Sequence, residues 1–283
     1  QYILANESVK LTLETQGLES MKGQHYEGWN IINGKAISTG RFSITQKGQI
    51  YSVKTTGEKL NKIGEEGIAH FELSKNHSQA TLFVLTIEPN NDSDPNPSTV
   101  HVLGGEYSNY QASLSIAHGS SLGSDFSNAS GSYILAAPTG GNPNQGVWFV
   151  NPQQGIGALE LPELPMGWAY EGWIVNTKNN KKFSTGIFQN PQQMDSDGAG
   201  PYAGPLKLSF PRVPGQDIVA TPVVLDDGIH AVVVTVEPYP DYDPAPYAIK
   251  ILKSDIEENA QGMVNYPLEN ISPSAPSGSV HIH

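Results

Sequence analysis

The feature that most constrains this chain is an internal repeat. Tyr26-Glu27-Gly28-Trp29 recurs as Tyr170-Glu171-Gly172-Trp173, an offset of 144. Ser38-Thr39-Gly40-Arg41-Phe42 recurs as Ser184-Thr185-Gly186-Ile187-Phe188, an offset of 146. Thr86-Ile87-Glu88-Pro89 recurs as Thr235-Val236-Glu237-Pro238, an offset of 149, and Asp92, Asp94, Pro95, Pro97 and Leu103 then fall on Asp241, Asp243, Pro244, Pro246 and Leu252 without a gap. Tyr2-Ile3-Leu4-Ala5 matches Tyr133-Ile134-Leu135-Ala136. A slowly growing offset is what loop insertions produce in duplicated domains. The two copies run over about 1–105 and 132–255, which gives domains at 1–131, with a linker strand, and 132–283, with a Pro/Ser-rich tether and a C-terminal strand.

Each copy reads as β. Val9, Leu11 and Leu13 alternate with Lys10, Thr12 and Glu14, the period-2 pattern of a half-buried strand. Leu82–Ile87 and Ala231–Val236 are β-branched runs of strand length, suited to burial on both sides. Asn33-Gly34 between apolar runs predicts a two-residue hairpin, which becomes the longer Thr177–Asn180 loop in the second copy. Glu88-Pro89 and Glu237-Pro238 end their strands, because proline cannot donate to a ladder. Tyr110–Ile116 predicts a further strand, Asn259–Leu268 another, and Asp255–Gly262 a short helical turn. Twenty-nine glycines and 21 prolines suit a turn-rich protein. The expected fold is all-β: two tandem Ig-like β-sandwich domains of one family.

The combined order of Tyr-Glu-Gly-Trp, Ser-Thr-Gly-x-Phe and Thr-(Ile/Val)-Glu-Pro with a Pro-rich turn resembles the C-terminal extracytoplasmic domain of anti-sigma-K factors of the RskA type. It is closer still to the tandem domains of bacterial secreted proteins and lipoproteins that carry it. The resemblance implies a sandwich fold and an extracytoplasmic location. It carries over no catalytic residues. A sigma-binding helical domain is missing from this sequence, so sigma inhibition is not carried over either.

Charge and composition narrow the partners. A net charge of −12 opposes nucleic acid, whose phosphates need a basic surface, and opposes anionic lipid. No run approaches the roughly 20 apolar residues of a membrane helix. Zero cysteines exclude disulfides, thiolate zinc sites and thiol catalysis. A first residue Gln1 fits a processed exported protein.

Several residues invite a chemical role. Asp92, Asp94, Asp241 and Asp243 are the candidate calcium ligands, since calcium takes carboxylate and carbonyl oxygens; Asp195, Asp197, Asp226 and Asp227 add acidic loops. Neither repeated Asp-x-Asp segment fits an EF-hand, and the competing role is capping turns. No other cofactor is expected. The recurring Glu27/Glu171 and Glu88/Glu237 could serve as an acid–base pair, but as strand-end carboxylates they are expected to accept hydrogen bonds. Trp29 and Trp173 are expected in the core rather than on a sugar platform. With Tyr26, Phe42, Pro89, Tyr170, Phe188 and Pro238 they form the shared framework. Gly119-Ser120-Ser121-Leu122-Gly123 matches a nucleophile elbow without the strand–turn–helix context that the motif needs. His281 and His283 share a face of the terminal strand and could hold a metal with a third ligand, though at a chain end such a pair is usually incidental. Asn6, Asn76, Asn91, Asn128 and Asn270 sit in glycosylation sequons.

The functional expectation is a non-catalytic exported protein acting through protein contacts, self-association included. In that reading Val280 and Ile282 of the tail add as a strand to a sheet edge. A carbohydrate or small-ligand module using Tyr202, Tyr239, Tyr242 and Tyr247 is the second expectation, and an extracytoplasmic sensor domain the third.

Overall fold

The computed structural model describes residues 8–207 and 210–283. The match at Tyr2–Ala5 and the sequon at Asn6 lie outside the described residues. Among the described residues, nine strands lie in the first half: β1 (Ser8–Gln16), β2 (Gln24–Ile32), β3 (Lys35–Ile44), β4 (Gln49–Val53), β5 (Lys59–Glu65), β6 (Ile68–Ser74), β7 (Leu82–Pro89), β8 (His101–Glu106) and β9 (Gln111–Ser115). The second half begins with β10 (Ser130–Leu135), β11 (Gly146–Trp148), β12 (Val150–Asn151), β13 (Ile156–Gly157) and β14 (Leu159–Glu160). It continues with β15 (Trp168–Asn176), β16 (Lys182–Phe188), β17 (Gly215–Asp217), β18 (His230–Pro238), β19 (Ile249–Asp255), β20 (Tyr266–Pro267) and β21 (Glu269–Asn270). The last strand is β22 (Ser277–Ile282).

The protein is all-β. Its first half, together with β22 from the end of the chain, forms one closed sheet in the order β1-β22-β9-β8-β7-β2-β3-β4-β5-β6, with β6 pairing back onto β1 from Ser8↔Ser74 to Glu14↔Ile68. The closed order differs from the two open sheets of a sandwich. The β4–β6 segment, which has no counterpart in the second sheet, carries the sheet round from β3 to β1, and closure leaves no free edge to protect. The expected hairpin is present: Ile32 pairs with Lys35, and Asn33 and Gly34 have φ of 50° and 75°, both in the left-handed region that a two-residue type I′ turn needs. The expected helical turn at Asp255–Gly262 is absent, and the chain runs from β19 into turns there.

The second half repeats the centre of this sheet. Its order β16-β15-β18-β19-β21 parallels β3-β2-β7-β8-β9. The irregularities repeat as well. Pairing shifts at Gly28/Trp29 and again between Glu171 and Trp173; it shifts at Leu85/Thr86 and again at Val234/Thr235. β10, β11, β14 and β17 form a separate small sheet, with β20 beside β10.

One hydrophobic cluster includes residues of both halves, among them Leu13, Phe42, Leu85 and Val280 beside Trp168, Tyr170, Val234 and Ile251. Tyr26 and Tyr247 meet across the halves, hydroxyl to hydroxyl at 3.2 Å. A further tie is β22. It reaches back from the end of the chain and lies between β1 and β9, antiparallel to both, with Val280 opposite Leu13 on one side and Ala112 on the other. Val280 and Ile282 are buried there. Among the described residues, no helix is long and apolar enough to cross a membrane.

Candidate functional site

The repeated sequence motifs build the same hydrogen-bonded network in each half. Trp29 Nε1 donates to Thr86 Oγ1 at 2.9 Å, and Trp173 Nε1 to Thr235 Oγ1 at 2.9 Å. These threonines donate to Glu88 and Glu237 respectively, and the carboxylates in turn accept the backbone N–H of Ser98 (2.9 Å) and of Tyr247 (2.9 Å). Ser38 Oγ donates to Glu27 at 2.5 Å, and Ser184 Oγ donates to Glu171. Tyr26 caps the Glu19 carbonyl at 3.0 Å and Tyr170 the Pro162 carbonyl at 2.5 Å. Both tryptophans are buried, as are Phe42 and Phe188, which stack on Tyr26 and Tyr170. Pro89 and Pro238 close β7 and β18.

The carboxylates pair differently from the way the sequence suggests. Pairing Glu27 with Glu171 by similarity puts them in different halves. The tertiary structure instead brings Glu171 together with Glu237 and Asp241, with carboxylate oxygens of all three within 4.8 Å of one another. The cause is register. β15 pairs with β18 so that Ala169 faces Glu237 and Glu171 faces Thr235, which sets the two glutamates on one face. Asp241 arrives three residues after the end of β18. Burial pushes the Glu171 carboxyl up to about 7 and the Glu237 carboxyl up to about 8, and the neighbouring Asp241 adds to both shifts. Asp195, buried nearby, is also pushed up to about 7. It accepts N–H bonds from Asp197, Gly198 and Gly215.

The first half holds the corresponding Glu27, Glu88 and Asp92, but there Glu27 is paired with a cation. Arg41 Nε lies 2.9 Å from Glu27 Oε2, and the Glu27 side chain is almost wholly buried. Removing one partner of a buried pair strands the other charge. Arg41 is itself a third exposed, so the loss for Arg41→Met is expected below the fully buried case, at roughly 2 kcal/mol, read as a lower denaturant midpoint.

Of the four aspartates singled out in the sequence, Asp92 and Asp94 cap turns, and Asp243 caps a turn and also ties the two halves together. Asp92 accepts the Asp94 N–H at 2.8 Å, and Asp94 accepts the Asn96 N–H at 2.9 Å. Asp243 accepts the Ala245 N–H at 3.1 Å and the Lys22 N–H at 2.8 Å, the latter across the halves. Asp241 caps Asp243 at 2.9 Å and also joins the acidic trio. The tail residues Val280 and Ile282 are internal to the barrel sheet, not presented at an edge.

Glu237, Asp241 and Asp243 lie on the wall of a groove of about 770 Å³ between the halves, whose opposite wall is Leu18–Lys22 and Ile44–Gln46. Tyr247 lines it but is buried, contrary to its expected exposure; Tyr202, Tyr239 and Tyr242 are exposed. Ser121 of the elbow-like motif donates to the Val102 carbonyl at 2.7 Å within a run of turns, so its hydroxyl serves the fold. The His281 and His283 rings lie 3.9 Å apart, and Thr12 Oγ1 contacts both His283 and His70. The Asn270 side-chain amide donates to the carbonyls of Phe126 (2.8 Å) and Ala129 (2.9 Å), so that sequon is spent on structure.

No protein-family model matches the chain, and no curated protein matches it either.

Proposed function

We propose that this is an exported, non-catalytic protein built from two divergent copies of one β-domain, of the kind found outside the cytoplasm in anti-sigma-K-like proteins, and that it works through protein contacts as a subunit of an extracellular assembly. The duplication is supported by the matched networks and matched register shifts of the two halves. The assembly reading rests on one observation. The barrel of residues 8–115 is completed by a six-residue strand from the far end of the chain, held on both sides by main-chain pairing. A strand joined through the short Ser272–Pro276 segment can be exchanged for the same strand of a neighbour at little cost, because identical contacts re-form.

The test uses the full chain, a chain truncated before Ser277, and a synthetic peptide spanning 272–283. Mass photometry is expected to show concentration-dependent oligomers of the full chain. The truncated chain is expected to lose them and to bind the peptide. A full chain that stays monomeric at every concentration, with a truncated chain that ignores the peptide, overturns the assembly reading.

The inter-half groove favours a second reading, a binding module for a small polar ligand. Saturable binding of an oligosaccharide that shifts resonances of Leu18–Lys22 would select it.

A further inference from the structure

The two networks differ at one charged position. In the β2–β3 pairing, Glu27 stands opposite Arg41, and in the β15–β16 pairing Glu171 stands opposite Ile187. The oxygen of Glu27 that meets the guanidinium is Oε2. The matching oxygen of Glu171, Oε2, is buried without a hydrogen-bond partner, on a side chain that is 4% exposed. Among the described residues, no lysine or arginine forms an ion pair with Glu171, Glu237 or Asp241, and Asp197 adds a further like charge to the surroundings of Glu171. An unpaired buried carboxylate is costly, and three together are more so.

We infer that Glu171, Glu237 and Asp241 bind a divalent cation of the calcium class, in the place that the Arg41 guanidinium takes in the first half. Oxygens that share one calcium ion, each about 2.3–2.6 Å from it, lie no more than about 5 Å apart. The 4.8 Å limit on the trio meets this condition. Carboxylates are the donors this class of ion prefers, and its remaining positions are open to water. Asp241, the half-buried member of the trio, lines the groove and gives the site its side toward solvent, while Glu171 and Glu237 are buried behind it. Ser184 and the Tyr247 N–H hold the glutamates from the side by bonds that have counterparts in the cation-bearing first half, so the site is preorganised.

The test is isothermal titration of the chelator-treated full chain with calcium chloride at pH 7.5, alongside thermal melts in about 5 mM calcium, above the 10⁻⁴–10⁻³ M range of extracellular calcium modules. One ion per chain and a raised Tm are expected; sodium chloride at equal ionic strength is expected to give neither. Glu171→Gln is expected to weaken binding at least about tenfold, the loss of one charged ligand. Ile187→Arg restores the first-half arrangement and is expected to abolish the calcium response while raising the calcium-free Tm. Should that variant fail to fold, Asp241→Asn is expected to lose the response. Asp92→Asn, in the first half, is expected to keep it. No calcium heat in the unmodified chain, or a full response in Glu171→Gln, overturns the inference.

Discussion

Val280→Asp is expected to lower the melting midpoint by roughly 10 °C, on the scale of about 2–4 °C per kcal/mol for chains of this order of size. Val280 is 1% exposed, in the strand that closes the barrel, with Leu13 and Ala112 on either side. The substitution removes buried apolar surface and places a carboxylate in the core, together on the order of 4 kcal/mol. Ser279→Asp is the control, since Ser279 is exposed on the opposite face of the same strand. Hydrogen exchange sharpens the reading. Protection is expected to fall in β1 and β9, which lose their common partner, and to persist in β15 and β18 of the other sheet. An unchanged midpoint would mean that β22 is not part of the folded core.

The second large effect is the pH dependence of the calcium-free protein. Burial raises the carboxyls of Glu171, Asp195 and Glu237 to about 7, 7 and 8. In the unfolded chain these groups ionise near 4. Between those values the native state holds protons that the unfolded state has released, so stability falls as pH rises and recovers as pH falls. Each group contributes at most about 1.4 kcal/mol per pH unit. From pH 8.5 down to 6.5 the gain is expected to be on the order of 2 kcal/mol, read from denaturant midpoints. His25 and His77 are lowered by burial and oppose the trend only as pH drops below the ordinary histidine value of 6.5. The chosen window therefore isolates the carboxyls. Glu237→Gln is expected to flatten the profile. A flat profile in the unmodified protein would show that these carboxyls are ionised at neutral pH without penalty.

How much of this was legible in the sequence can be followed residue by residue. Trp29 with Trp173, and Glu88 with Glu237, were visible as repeats because each is held by local strand geometry that both copies need. The Asn33-Gly34 hairpin was visible because its turn demands those residues. The Arg41/Ile187 difference is also present in the sequence. A charged residue replaced by an apolar one inside an otherwise repeated motif is the signal that could have pointed to the acidic trio. It had no evident meaning while Glu171 was compared only with its counterpart Glu27.

The sequence by itself determined that the chain is β throughout, that it carries one motif order twice, and where several of its strands turn or stop. These follow from period-2 alternation, proline stops and turn residues, which act over a few neighbours. The tertiary structure alone decided that β22 closes a barrel more than 160 residues behind it in the chain, and that Glu171, Glu237 and Asp241 meet. Both depend on which strands lie side by side and in what register. That choice is made by burying the whole apolar surface at once, and no local pattern encodes it.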